Sequence, residues 1–328
     1  MAKSPFSIPR KGRRPYTLGP VAGLVIIIIA LILSNRLNLL GGSSPEGVQS
    51  VPLPADAQNG QLLEVYYLDV GQGDSQLIRI PGEGGYFNVL IDTGEYQYAD
   101  GLTDYLKDLG VQRIDALVCS HPHTDHMGCM ARIVQRFEVD ALYMPRLPDD
   151  KTPTTAAYEA LVDAAYEKGL AIIPLHEDAA IESPAGSLFQ VMSPTVDADW
   201  EEANNYSAVI RLVYGETSFL FTGDAEEESE EIILEDGYLV ESDVLKCGHH
   251  GSSSSTSDPF LLEVHPQYAV ISCAQDNRYG HPHRETLQKL KAAKVEIFRT
   301  DQDSTVLAQS DGEKITFTKN LPSVEGKD

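Results

Sequence analysis

Residues 119–129 read Cys-Ser-His-Pro-His-Thr-Asp-His-Met-Gly-Cys, and the core of that run is His121-x-His123-x-Asp125-His126. Three imidazoles and a carboxylate within six residues already supply what a tetrahedral ion needs. Their alternation lets a loop leaving a strand turn His121 and His123 to one side and Asp125 and His126 to the other. That arrangement suits two adjacent divalent ions sharing a water. The strand itself is legible just upstream, where the apolar run 114–119 enters the polar loop. Such a loop asks for a fold that gathers further ligands at strand ends.

Four more segments end strand-like runs in polar residues. Leu-Ile-Asp-Thr-Gly places Asp92 at one such end, and Phe-Thr-Gly-Asp places Asp224 at another. Lys-Cys-Gly-His-His-Gly-Ser presents His249 and His250 ahead of Ser252, and Tyr-Gly-His-Pro-His presents His281 and His283. An Asp beside Gly is also an ordinary turn former, so neither Asp is assigned on its own. Two adjacent imidazoles between glycines have no packing purpose. His176 and His265 are isolated and are read as unremarkable structural residues.

Period-two runs at 62–70, 75–80 and 86–91, separated by glycine-containing turns, predict an antiparallel meander. Helical spacing of Leu102, Tyr105, Leu106 and Leu109 follows, then the strand and loop above, then a helix carrying Met130, Ile133, Val134 and Phe137. A strand at 141–144 and a helix at 154–168 come next, with Pro153 at the helix start and Gly169 just past its end. The second half repeats the style, with strands near 188–192, 208–214, 218–222, 244–247, 268–272, 295–298, 304–309 and 314–318. Helices at 225–235, 258–264 and 284–293 alternate with them. Strands then helices, twice over, predict two stacked sheets with helices outside.

The first 40 residues have a different composition. No charge falls between positions 15 and 35, and 18–33 is almost wholly apolar, long enough to span a bilayer as a helix. Lys3, Arg10, Lys11, Arg13 and Arg14 precede it and Arg36 follows, which predicts an uncleaved signal anchor with a cytoplasmic N-terminus. The expected organisation is therefore a basic N-terminus at 1–17, a transmembrane helix at 18–40, a polar tether at 41–60, a catalytic domain at 61–320 and a tail at 321–328. Six of the 25 basic residues and none of the 49 acidic ones lie in the first 40, leaving 19 basic against 49 acidic, formally −30. That balance excludes a broad basic groove for duplex DNA and leaves phosphate handling mainly to metal ions. Cys119, Cys129, Cys247 and Cys273 form no paired motif and read chiefly as buried small hydrophobes.

In order, Asp92 in Asp-Thr-Gly, the His-x-His-x-Asp-His loop, Asp224 in Thr-Gly-Asp, and His249 resemble the metallo-β-lactamase-fold hydrolases. More closely, Asp69-Val-Gly-Gln-Gly-Asp74, Asn204-Asn205, the His-His-Gly-Ser loop and the run from Asn277 to His283 resemble the hydrolase domain of ComEC-type DNA-uptake proteins over roughly 62–320. The resemblance implies an α/β fold of the αββα sandwich type and two divalent ions, Zn²⁺ or Mn²⁺. It implies His121 and His123 on the first ion, Asp125, His126 and His249 on the second, and Asp224 between them. His250 is then expected beside the ligands or facing substrate, and Asp92 behind them. Most of the superfamily carries one more first-metal His where this chain has Asn204-Asn205, so an Asn oxygen or water is expected to complete that ion, favouring Mn²⁺ somewhat.

A hydroxide bridging the two ions is the expected nucleophile, with Asp125 in the cage and His250 or His283 protonating the leaving oxygen. Ser252, Arg278 and His281 are expected to hold substrate. The chain as read has one span and neither the channel nor the oligonucleotide-binding module of DNA-uptake proteins. The expectation is a membrane-anchored, extracytoplasmic phosphodiesterase, with single-stranded DNA or another phosphodiester as substrate. A metallohydrolase of a lactone or β-lactam is the alternative, and a surface protein with a structural metal the weakest reading.

Overall fold

The computed structural model describes residues 60–82 and 84–327, together with Val51 and Leu53. The expected N-terminus and transmembrane helix lie outside the described residues, as does nearly all of the tether. Among the described residues no helix is long and apolar enough to cross a membrane.

In chain order the first half contains β1 (Leu63–Tyr67), β2 (Gln76–Gly82), β3 (Gly85–Ile91), α1 (Ala99–Asp108), β4 (Arg113–Ile114) and β5 (Ala116–Val118). Then come α2 (Thr124–Met127), α3 (Met130–Arg136), β6 (Glu138–Val139), β7 (Leu142–Pro145), α4 (Ala156–Lys168) and β8 (Ile172–Leu175). The second half contains β9 (Ser187–Ser193), β10 (Val209–Tyr214), β11 (Thr217–Phe221), α5 (Glu227–Glu235), β12 (Val244–Lys246), α6 (Asp258–Val264) and β13 (Tyr268–Ile271). It ends with α7 (Arg284–Ala292), β14 (Glu296–Arg299), α8 (Thr300–Asp303), β15 (Thr305–Ser310) and β16 (Ile315–Leu321).

The strands form an eight-stranded sheet, β16-β15-β1-β2-β3-β5-β7-β8, and a six-stranded sheet, β14-β13-β12-β11-β10-β9. The predicted meander is present, with β1–β2 and β2–β3 antiparallel. Beyond it the pairs β3–β5, β5–β7 and β7–β8 are parallel, as are β11–β12, β12–β13 and β13–β14.

Alternation along the strands sorts side chains into layers. Leu63, Val65 and Tyr67 of β1 and Val118 of β5 pack with Ile210, Leu212, Phe219 and Phe221 of the other sheet, forming the core between the sheets. Tyr66 and Leu117 face the opposite way, onto Leu102 and Leu106 of α1, Ile133 of α3 and Leu161 of α4. Leu220, Leu245 and Ile271 pack outward with Ile233 of α5, Phe260 of α6 and Leu290 of α7. The result is the αββα sandwich.

Two features add to the sequence reading. The chain forms β8 despite Pro174, because β8 is the outermost strand of its sheet, where a missing N–H breaks no ladder. Residues 322–327, expected as a tail, run back over the domain. Val324 is buried, its amide donates to the Asp69 carbonyl (3.0 Å), and the Lys327 amide donates to the Gln97 carbonyl (3.0 Å). All four cysteines are free and buried.

Candidate metal centre

The polar loops that follow β3, β5, β11, β12 and β13 converge at one end of the sandwich. Asp92 directly follows β3 and is fully buried with φ 57°, a left-handed conformation that non-glycine residues adopt seldom. Its Oδ1 accepts from the Ser120 amide (2.7 Å), and its Oδ2 accepts from Ser120 Oγ (2.6 Å) and from His126 Nδ1 (2.9 Å). The His126 proton is therefore fixed on Nδ1, leaving Nε2 to face the centre.

The loop after β5 is held from below. The Asp74 amide donates to the Asp125 carbonyl (3.1 Å), and a Cβ on Gly73, at φ +155°, would collide with that carbonyl. Only glycine permits this approach, which gives the Gly-Gln-Gly-Asp segment its physical purpose.

Asp224 lies between two sets of ligands. Its Oδ1 is 3.2 Å from His126 Nε2, while its Oδ2 is 3.9 Å from His121 Nε2, 3.8 Å from His249 Nε2 and 3.7 Å from His250 Nε2. His121 Nε2 and His123 Nδ1 are 2.9 Å apart, and His250 Nε2 is 3.3 Å from Asp125 Oδ2. The ligand atoms of Asp125, His126, Asp224 and His250 all lie within 4.8 Å of one another. His250, expected outside the ligand set, is thus grouped with Asp125 and His126. His249, expected in that group, lies outside it, with Nε2 3.8 Å from Asp224 Oδ2 and Nδ1 3.0 Å from Glu226 Oε1. The backbone divides the pair, since both residues have left-handed φ (48° and 54°) and their side chains diverge. Each such residue costs about 1–3 kcal/mol, a strain that ordinary loop geometry would not retain.

The residues fit divalent cations. His126 Nε2 and Asp224 Oδ1 are buried and make no satisfactory hydrogen bond, and Asn204 Oδ1 is buried and unpaired as well. Orphaned buried acceptors of this kind are costly unless something fills the site. The donor set of imidazoles and carboxylates suits Zn²⁺ and Mn²⁺. Asp74, Asp92 and His126 also converge, but Lys246 Nζ lies 2.7 Å from Asp74 Oδ2 and already compensates that carboxylate.

The fields around the centre are strong. Burial alone would lower the His250 pKa, yet Asp224, Asp125 and Asp74 together push it up to about 10, and Asp224, Asp92 and Asp125 raise His126 well above its ordinary value against the same burial. Burial would raise Asp224, but His126 and His250 hold it well below the usual carboxylate range. Burial, with His126 next to it, drives His121 well below its ordinary value. In the metal-free protein His126 and His250 therefore carry protons that an incoming cation must displace. Affinity for Mn²⁺, measured by titration calorimetry between about pH 6 and pH 9, is expected to rise with pH with release of protons. A flat profile would contradict this protonation pattern.

Other expected site residues fall differently. Asn205 Oδ1 accepts from the Glu226 amide (3.0 Å) and Asn204 Nδ2 donates to Glu226 Oε1 (3.3 Å), so both act on Glu226. Ser252, expected to grip substrate, is buried with its hydroxyl bonded to Ser254 Oγ (2.9 Å). The exposed hydroxyls of that loop are Ser253 and Ser254. His283, expected as a proton donor, accepts from the Ser253 amide at Nδ1 (2.9 Å) and lies 3.3 Å from the Tyr279 carbonyl at Nε2, so both nitrogens are committed. His250 is committed too, with Nδ1 against the Ser272 carbonyl (3.0 Å). His281 stands 5.3 Å from the His249 ring, and its Nδ1 has no partner. Arg278 is exposed and lies over the Tyr279 ring.

Sequence reasoning gave no role to Asp74, Lys246 or Glu226. Lys246 was signalled by a charge inside the apolar run of β12. Glu226 was signalled only by lying two residues beyond Asp224.

The metallo-beta-lactamase superfamily model matches residues 68–275. The chain is 33% identical to ComE operon protein 3 of Bacillus subtilis over 261 residues, covering 74% of this chain and 32% of that protein. It is 31% identical to competence protein ComA of Neisseria gonorrhoeae over 235 residues, covering 71% of this chain and 30% of that one. The chain thus spans about a third of the length of these relatives. Among solved structures, CmlA, a diiron β-hydroxylase from Streptomyces venezuelae, aligns with a TM-score of 0.46 and 15% identity, covering 82% of this chain and 57% of that one.

Proposed function

Because the chain belongs to the metallo-β-lactamase superfamily, we propose that it is a dinuclear metal-dependent hydrolase, with Zn²⁺ or Mn²⁺, that cleaves phosphodiesters. The observation that carries the reading is Asp224, a buried carboxylate with Oδ1 3.2 Å from His126 Nε2 and Oδ2 within 3.9 Å of His121, His249 and His250. His121, His123, Asp125, His126, Asp224, His249 and His250 would hold the ions. Bound there, two ions supply an activated water and neutralise charge developing on the phosphoryl group.

The surrounding residues favour an anionic substrate. The exposed Arg278 guanidinium lies on the loop after β13, three residues before His281, a fork suited to phosphate oxygens. His281 is the imidazole here with an uncommitted nitrogen. Burial and the charges of His250 and His249 lower its pKa to about 4, so it is neutral at physiological pH. His281→Ala is expected to lower kcat by ~10²-fold, the low end for general acid–base groups. His283→Ala, which only loosens the contact between two loops, should cost less. Equal losses in kcat would remove His281 from this role.

Similarity to a competence protein supports a nucleic-acid phosphodiester, and the formal −30 charge beyond position 40 favours single strands over duplex. The apolar segment at 18–33 behind five basic residues supports anchorage with the domain outside the membrane. Protease added to intact protoplasts should then digest the domain, and complete protection would reverse that orientation.

The deciding assay offers the metal-loaded protein bis-p-nitrophenyl phosphate, single-stranded DNA, a chromogenic β-lactam and a lactone. Cleavage of the phosphodiesters is expected. Hydrolysis of the lactam or lactone with no phosphodiester turnover would replace this reading with the carboxylic one.

A further inference from the structure

The loop between β13 and α7 carries an aromatic side chain that neither the metal centre nor the core uses. Tyr279 is 50 % exposed, and its ring stacks on His281 with centroids 5.6 Å apart and planes inclined by 22°. His281 lies in turn 6.1 Å from the His250 ring and 5.3 Å from the His249 ring. Two ring-to-ring steps therefore lead from an exposed tyrosine to His250, whose Nε2 is 3.3 Å from Asp125 Oδ2. The guanidinium of Arg278 lies over the Tyr279 ring, with Cζ 4.8 Å from its centroid, and Nη2 donates to the Tyr279 hydroxyl (2.6 Å). A planar cation and an aromatic ring are thus joined at the exposed end of the stack.

The loop holds this stack still. Asn277 Oδ1 accepts from the amides of Tyr279 (3.2 Å) and His281 (3.0 Å), while Nδ2 donates to the carbonyls of Ala274 (2.9 Å) and His281 (2.5 Å). The Ala274 amide donates to Gln72 Oε1 (3.2 Å), and the His283 amide donates to the Gly251 carbonyl (3.0 Å). Both ends of the loop are therefore pinned to segments that build the centre. An exposed tyrosine alone needs no explanation, because single apolar side chains are scattered over any surface. Tyr166 of α4, 86 % exposed, is such a residue and stacks on no other ring among the described residues. Tyr279 differs in being held by its loop, paired with a cation and continuous with the centre.

A base is the part of a nucleic-acid phosphodiester that brings a flat π-face. Aromatic rings and guanidinium planes are the surfaces on which the splayed bases of a single strand stack, whereas a duplex keeps its bases paired. We infer that Tyr279, with Arg278 beside it, is a stacking platform for a nucleobase next to the scissile phosphate, so that the centre selects single-stranded nucleic acid by its bases as well as its phosphates. The inference rests on the phosphodiesterase reading above and adds to it the part of the substrate recognised beyond the phosphate. Tyr279 is a specificity residue, and because stacking is present before and during cleavage alike, it acts on KM rather than on kcat.

The test offers the metal-loaded protein two single strands of equal length, one a run of thymidines and the other the same backbone without bases. Wild type is expected to show the lower KM on the thymidine strand. Tyr279→Ala should raise that KM about 5–100-fold, the range for one stacked base, with kcat, metal content and the KM of the baseless strand unchanged. Tyr279→Trp should restore the wild-type KM, which a merely structural role for the tyrosine would not predict. Irradiating the protein with an iodouracil-containing strand should crosslink that strand at Tyr279, read by peptide mass whether or not the strand is cleaved. An equal change on both strands, no change on either, the same change from Tyr166→Ala, or crosslinks confined to other residues would overturn the inference and leave the phosphodiesterase reading intact. So would a wild type that hydrolyses bis-p-nitrophenyl phosphate but does not distinguish the two strands. A protein that cleaves no phosphodiester at all would sink both readings together.

Discussion

Asp224→Ala is expected to abolish phosphodiester turnover and to lower metal content in the same sample. Both carboxylate oxygens face ligands, Oδ1 towards His126 and Oδ2 towards His121, His249 and His250, so alanine removes the one group common to both sides. The loss should exceed the ~10²–10⁴-fold typical of a general acid–base group. Removing Asp224 also leaves His126 and His250 without their strongest charge partner, which lowers the pKa of both and should be visible as earlier loss of their protons on raising pH. Retention of two ions and of more than a hundredth of the wild-type kcat would place the chemistry elsewhere.

Lys246→Met is expected to destabilise the fold by about 3–5 kcal/mol, the range for leaving one member of a buried ion pair unpaired. Lys246 and Asp74 are both buried, with Nζ 2.7 Å from Oδ2, and Lys246 Nζ also donates to the Cys247 carbonyl (2.9 Å). Burial alone would raise Asp74, but Lys246 and then His250 bring it down to about 2. The sign follows from that direction. The stabilisation is present above the unfolded carboxylate value and is lost as pH falls through about 2. Denaturant midpoints should show the variant losing stability at neutral pH, and Asp74→Asn combined with Lys246→Met should regain part of it. Equal stability of the single variant and wild type would mean the pair contributes little. Because Asp74 Oδ1 lies 3.4 Å from His250 Nδ1, the same variants should weaken metal binding as well.

The layers were legible because period-two apolar runs and glycine turns left little freedom in the strands, and the spacing of apolar residues marked α1 and α3. Gly169 ends α4 in the left-handed region as the sequence suggests, whereas the helix starts at Ala156 behind Thr155, which accepts from the Tyr158 amide, rather than at Pro153. The loops that carry the centre were legible for a related reason, as polar clusters at the ends of apolar strands. Which imidazole faces which group was not. That choice depends on left-handed backbone at His249 and His250, a conformation no residue preference announces. The roles of Lys246 and Glu226 were hidden because their partners are brought to them by folding. Asp74 reaches Lys246 from a loop before β2, and Asn204 reaches Glu226 from the other side of β10 and β11. His283 and Ser252 looked chemically available in sequence, and the fold consumes their polar atoms internally.

The account stands most directly on the dependence of phosphodiester hydrolysis on the number of ions bound. Metal-free protein would be titrated with Mn²⁺ or Zn²⁺, with bound metal per chain and the initial rate on bis-p-nitrophenyl phosphate measured in the same samples. The account predicts little hydrolysis while the first ion binds and a steep rise as the second does, saturating near two ions per chain. Full activity at one ion per chain, or two bound ions with no phosphodiester cleavage, would contradict it.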